Sequence, residues 1–344
     1  MENNVKKALL LSTVMVLVFA GTLFARGDQQ AAGGGNTHAV VFKSTGNPFG
    51  EKLMDGFETG VKEQGGTVIR RAPDLPTAEA QIQIIDQLVA QKVASITISA
   101  NDFDALQPVL TKAKNAGIKV VTADSAVNPA SRSVHINQAD TQLIGETLVE
   151  AAFDQAGGSG EIAILSATSQ ASNQNAWIAV MEQTLKQAKY ANLKLVKIAY
   201  GDDLRDKSLS ETEGLIASYP NLKVIVAPTT VGIAAAAKAI SDRGLIGKIK
   251  ITGLGLPSEM AEYITNGSCP YMFLWNPIDL GYLASYAAGA LASNKITGKI
   301  GDQFNGGKLG EYKVVQASDN GTEVILGPPF KFEPSNINEW KSVY

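Results

Sequence analysis

From residue 39 onward the chain repeats one unit: a short apolar run, a small polar loop, and an amphipathic stretch that often closes on glycine. The runs "AVVFK" (39–43), "ASITISA" (94–100), "EIAILSA" (161–167) and "LKVIVAPT" (222–229) are apolar on both faces of a strand. Such strands must be covered on both sides, and strand–helix–strand order makes neighbouring strands parallel. Between them, "AEAQIQIIDQLVAQK" (78–92) sets Ile82, Ile85, Leu88 and Val89 on one helical face. About ten such strands exceed one comfortable sheet. The pattern therefore predicts an α/β chain of two similar, doubly wound parallel-sheet lobes. The tail differs: "GEYKVVQASDNGTEVILGPPFKF" (310–332) reads as two alternating strands around a hairpin-like turn at Asp319-Asn320-Gly321.

The first residues fall outside this repeat. Lys6 and Lys7 precede an apolar core at 8–21, and small residues follow near Ala20 and Ala25. This is the pattern of a cleaved secretory signal over 1–25. An uncleaved anchor is the alternative, because 8–25 approaches the roughly 18 residues needed to span a membrane. No Cys follows to carry a lipid. Residues 26–37, "RGDQQAAGGGNT", read as a flexible linker.

Charge and composition then narrow the chemistry. The formal net charge is −3, so no broad basic surface is available to draw nucleic acid. Two His and one Cys leave almost no material for a His/Cys zinc site, and none for a disulfide within the chain. There is no P-loop, no dinucleotide fingerprint and no nucleophile motif. The acidic cluster Asp202, Asp203 and Asp206 lacks the ligand spacing of an EF-hand and reads as a solvated loop. No cofactor and no metal are expected.

In open parallel sheets, ligands bind beyond the carboxyl ends of the strands. The residues found there are amides, hydroxyls, carboxylates and aromatics. Asn, Gln and Asp can meet two neighbouring hydroxyls at once, and the C–H face of a sugar ring packs on an aromatic face. Asn47, Asp124, Asn137, Gln138, Asn173 and Gln174 are the polar candidates, and Phe49, Trp177 and Trp275 the aromatic ones. Plainer roles stand beside these. Ser172 and Asn173 suit a helix cap, Asn137 a turn, and Trp177 a core position.

The segments "SANDFDAL", "INQADTQLIGET", "ILSATSQASNQNAWI", "KIAYGDD", "APTTVGIAAAAK", "TGLGLPSEM" and "LWNPIDLGYLA" carry a resemblance. Over nearly all of 37–344 the chain resembles the periplasmic solute-binding proteins of sugar ABC importers with the type I fold. It looks most like their rhamnose-binding members. The related binders of the furanosyl signal autoinducer-2 hold their ligand with a Lys, an Asp, an Asp-Gln pair and a Pro-x-Ala. The matching positions here are Lys43, Asp124, Asn173-Gln174 and Pro228-Thr229-Thr230. Asn173 replaces the Asp and Thr230 the Ala, which disfavours autoinducer-2 and suits a methyl-pentose.

The resemblance also implies connectivity: lobes of 38–137 with 277–297 and of 138–276 with 298–344, joined by a three-segment hinge. The crossings would lie near 136–140, 274–277 and 295–300, with the last hairpin in the second lobe. It implies a monomer in the periplasm or cell envelope that binds a sugar, most simply rhamnose, and hands it to a membrane permease. Autoinducer-2 or another pentose or deoxyhexose is the alternative ligand. An enzyme on a similar sheet would need a metal cluster, a dinucleotide fingerprint or an acid/base pair. A sugar-responsive repressor would need a DNA-reading headpiece where 1–37 stand. A sensor subunit feeding a receptor is not separable from an import protein by sequence.

Overall fold

A computed structural model of the chain describes residues 35–344. The expected signal at 1–25 and most of the expected linker lie outside the described residues. The linker ends earlier than expected, because Thr37 already belongs to a strand.

The first half is built from β1 (Thr37–Val41), α1 (Pro48–Glu63), β2 (Thr67–Arg71), α2 (Ala78–Ala90), β3 (Ser95–Ile98), α3 (Gln107–Asn115), β4 (Lys119–Ala123) and β5 (Val134–Asn137). These strands pair in parallel in the order β5-β4-β3-β1-β2. β3 and β5 are buried along their length, and all but the first residue of β1 and β4 is buried with them. This is why their sequences carry no alternation.

The chain then crosses into a second half: α4 (Thr141–Gln155), β6 (Gly160–Ser166), α5 (Ser172–Thr184), β7 (Leu193–Tyr200), α6 (Arg205–Ser218), β8 (Leu222–Ala227), α7 (Thr230–Asp242), β9 (Lys250–Gly253), α8 (Pro257–Thr265) and β10 (Met272–Leu274). Its sheet runs β7-β6-β8-β9, again all parallel.

At 275–276 the chain returns. α9 (Pro277–Ala292) packs on α1 and against β3 and β4. The two helices start alike: Asn47 and Asn276 each cap with their side chains, and a proline follows at the first helical position. They cross at two glycines. A Cβ on Gly56 would lie 1.9 Å from the Ile278 carbonyl oxygen, and one on Gly281 would lie 1.8 Å from that of Leu53. Only hydrogen fits at either point.

The tail corrects one expectation. β11 (Gln303–Asn305) and β12 (Glu311–Lys313) form a small antiparallel pair, and β11 contacts α9. β13 (Val315–Gln316) and β14 (Thr322–Ile325) do form a hairpin around Asp319-Asn320-Gly321, with Asn320 at φ 65°. That hairpin joins the first sheet, not the second lobe: β14 pairs in parallel with β5, Glu323 opposite His135. Val324 is fully buried there, and Arg132 holds Asp319 through two 2.8 Å bonds. The third crossing therefore falls at 326–329 rather than near 295–300. Only β15 (Phe330–Phe332) and α10 (Ile337–Trp340) belong to the second half, β15 pairing with β10 and α10 packing on α8.

Candidate functional site

The carboxyl ends of both sheets face one cavity, walled by residues of both halves. Every residue expected at the site except Asn137 and Gln138 lines it: Lys43, Asn47, Phe49, Asp124, Asn173, Gln174, Trp177, Pro228, Thr230 and Trp275.

The first half supplies a held pair of charges. Lys43 follows β1 and Asp124 follows β4, and their side chains are 92–93% buried with Nζ and Oδ2 3.4 Å apart. A polar scaffold fixes both. Gln81, fully buried on α2, donates to the carbonyls of Phe42 (3.1 Å) and Ser99 (2.8 Å) and accepts from the Asn101 amide (2.9 Å). Asn101 in turn donates to the Lys43 carbonyl at 2.8 Å. Ser99 donates to Asp124 Oδ2 at 2.7 Å. Asp124 sits at φ 66°, a left-handed conformation that non-glycine residues seldom adopt. A buried ion pair adds little net stability, because desolvation offsets its attraction. Charges retained at a cleft point instead to binding.

The second half reaches over to this pair. Asn173 donates to Asp124 Oδ1 at 3.1 Å and accepts from Lys43 Nζ at 3.3 Å. Ser172 donates to the Ala126 carbonyl at 2.9 Å and lies 3.1 Å from Ser125 Oγ. Neither caps α5: its N-cap residue is Ala171, with no side-chain cap bond. The capping role is thus set aside in favour of contacts between the halves. Gln174 is 4% exposed, and its carbonyl oxygen accepts from Ser166 Oγ (2.7 Å) and the Ala167 amide (2.8 Å). Its orientation is thereby fixed, with the NH2 group left for other partners.

An aromatic wall completes the cavity. Phe49 meets Trp275 edge-on at 6.3 Å, Trp275 meets Trp177 at 5.8 Å, and Phe42 lies 6.1 Å from Phe49. The Trp275 indole N–H is buried without an acceptor. Trp177, 2% exposed, serves the hydrophobic core and the cavity together.

Sequence reasoning missed Asp203, Thr229, Phe42, Leu254 and Leu274, which also line the cavity. Asp203 is a correction, since its segment reads as a solvated loop. Asp202 does face solvent and pairs with Lys207, and Asp206 is exposed on α6. Asp203 instead turns inward at φ 53° and accepts from the Thr229 hydroxyl. Burial pushes its carboxyl above the usual range, against the pull of the Lys43 charge and the Thr229 bond. Its position directly after β7 was the available signal.

Asn137 and Gln138 lie at the first crossing and face a neighbouring cavity. Asn137 donates to Glu323 at 2.9 Å. It is therefore a cross-strand partner of the hairpin rather than a turn residue.

Three comparisons bear on this arrangement. Residues 38–296 match the family described as "Periplasmic binding protein domain". A solved ABC transporter solute-binding protein from Clostridium phytofermentas, with bound L-rhamnose, is 51% identical. It covers 90% of this chain and 98% of its own, with a TM-score of 0.88. A sugar ABC transporter structure from Actinomyces odontolyticus is 38% identical over 88% of this chain and 97% of its own, with a TM-score of 0.70. The D-allose-binding periplasmic protein of Escherichia coli is 25% identical over 76% of this chain and 86% of its own. The fold is also shared with LsrB from Clostridium saccharobutylicum in complex with AI-2, at 24% identity and a TM-score of 0.84, over 88% of this chain and 99% of its own.

Proposed function

This chain belongs to the periplasmic binding protein family, and we propose that it captures a neutral sugar, L-rhamnose foremost, by closing two lobes about it. The observation that carries this reading is the Lys43–Asp124–Asn173 bridge, in which the first half's charges and the second half's amide already meet at the aromatic wall. The 51% identical protein with bound L-rhamnose supports the choice of sugar.

The mechanism is a clamp. Sugar enters between the lobes, and its ring lies on Phe49 and Trp275. Lys43 donates to its hydroxyls, Asp124 and Asp203 accept from them, and the Gln174 NH2 adds a donor. Closure about the three crossings brings Asn173, Pro228 and Thr230 onto the sugar. Water is then expelled, so an unpaired hydroxyl costs about 1–3 kcal/mol, and that cost separates one sugar from another. The ligand leaves unchanged, delivered to a membrane permease.

We assign the first lobe to 38–137 with 277–325 and the second to 138–276 with 330–344. A signal over 1–25 would place a monomeric protein in the periplasm or cell envelope, with no role for nucleic acid. Titration calorimetry with L-rhamnose, other 6-deoxyhexoses and autoinducer-2 tests the proposal. Saturable rhamnose binding without autoinducer-2 binding is expected. The reverse would overturn the choice of ligand and would make Lys43, Asp124, Gln174 and Pro228 the set that decides.

A further inference from the structure

Beside the cavity just described lies a second one. The two share Asp124, Asn173 and Trp177 as lining, so the Asn173–Asp124 bond at 3.1 Å stands between them. Its far wall is the first crossing and the terminal hairpin: Asn137, Gln138, Glu323 and Ser318. Gln138 is 1% exposed, yet among the described residues neither its amide oxygen nor its amide nitrogen has a hydrogen-bond partner. A buried amide left so costs about 1–3 kcal/mol per unpaired group, and in native proteins such groups usually serve something.

The chemistry of this annex is that of the first cavity without its lysine. Glu323 and Asn137 pair with each other at 2.9 Å, leaving acceptor and donor capacity on both. Arg132 is occupied by Asp319, and burial pushes the His135 imidazole down to about 3, so it is neutral. No free cation invites an anion among these residues. Phe103 and Trp177 add aromatic surface.

We infer that the annex is a second subsite, taking a hydroxylated group carried on the sugar in the first cavity, such as the second ring of a disaccharide. Gln138 reads that group through both ends of its amide, and Glu323 accepts from it. The inference rests on the sugar-binding reading above and extends its substrate class from free monosaccharides to glycosides.

Calorimetry on the full chain tests it, with L-rhamnose and with two disaccharides, one carrying rhamnose at the non-reducing end and one at the reducing end. One of the disaccharides should bind within about tenfold of rhamnose itself. Ala176, exposed on α5, lines the annex. Ala176→Trp should plug it, weakening the disaccharide at least about tenfold while moving rhamnose by less than about twofold. Gln138→Leu should weaken the disaccharide likewise, and Ala176→Trp, away from the crossing, keeps the test open if the buried change impairs folding or closure. Rhamnose binding with both disaccharides refused overturns the annex alone, as does an equal loss of both ligands in Ala176→Trp. Refusal of all three sugars overturns the sugar-binding reading with it.

Discussion

The two walls of the cleft are made differently. On the first half, Lys43 and Asp124 are held by Gln81, Ser99 and Asn101 in a buried lattice of bonds between 2.7 and 3.1 Å. On the second, Asn173, Gln174 and Asp203 sit at loop and helix starts, and Asn173 and Asp203 are only half-buried. One wall is organised before any ligand arrives, while the other is completed by contact. Preorganised groups lose little entropy on binding, so they set affinity. Both departures from the autoinducer-2 pattern, Asn173 and Thr230, lie on this second wall.

Acid should break the comparison most sharply, because His135 in the first half and Asp203 in the second respond with opposite sign. His135, on β5, is neutral in the fold with its value lowered from 6.5 to about 3, mainly by burial. Its contribution is complete above the unfolded value and is lost as pH falls toward the folded one. Burial lowers His38, on β1, as well. Stability should therefore fall by roughly 1.4 kcal/mol per pH unit for His135 alone as pH drops below about 6.5. Asp203 and Glu323 are raised by burial, so their contribution is present at acid pH and lost as pH rises through their folded values. Denaturant midpoints measured across pH for the wild type and His135→Gln check this. An unchanged slope in the variant would remove His135 as the acid trigger.

Binding variants sharpen the contrast next. Asp124→Ala strips Lys43 of its partner and Ser99 of its acceptor, and should weaken rhamnose by roughly a hundredfold at up to about 3 kcal/mol. Asn173→Ala on the adaptable wall should lose about tenfold. Equal losses in calorimetry would erase the distinction between the walls. Gln81→Leu touches no ligand, yet strands two carbonyls and one amide. It should cost about 2 kcal/mol in urea unfolding, since each unpaired buried group carries about 1–3 kcal/mol before relaxation. The smallest effect is expected from Asp203→Asn. It removes a half-buried charge and should raise the melting temperature slightly at neutral pH while weakening the sugar about tenfold at most.

Much of this was legible beforehand because both signals are local. Strand runs and the residues following them are neighbours in sequence, so Lys43, Asp124, Gln174 and Trp275 could be placed at one end of two sheets without knowing how the sheets face. The failures all involve distance. β14 finds β5 across some 186 residues, and nothing in "TEVILGPP" distinguishes an added strand of the first sheet from one of the second. Asp203 shares its segment with Asp202 and Asp206 and differs in its partner, the Thr229 hydroxyl brought in from the start of α7 rather than Lys207 or solvent. Asn137 and Gln138 stand at the right strand end but one cavity over, a displacement set by the hairpin.

The glycine crossing of α1 and α9 has a bearing on how far the jaws can swing. With Gly56 against the Ile278 backbone and Gly281 against that of Leu53, the two helices have no room to slide, so the first lobe can turn only as one body. A single methyl at Gly281 would wedge that body apart at its core without altering any atom that meets the guest.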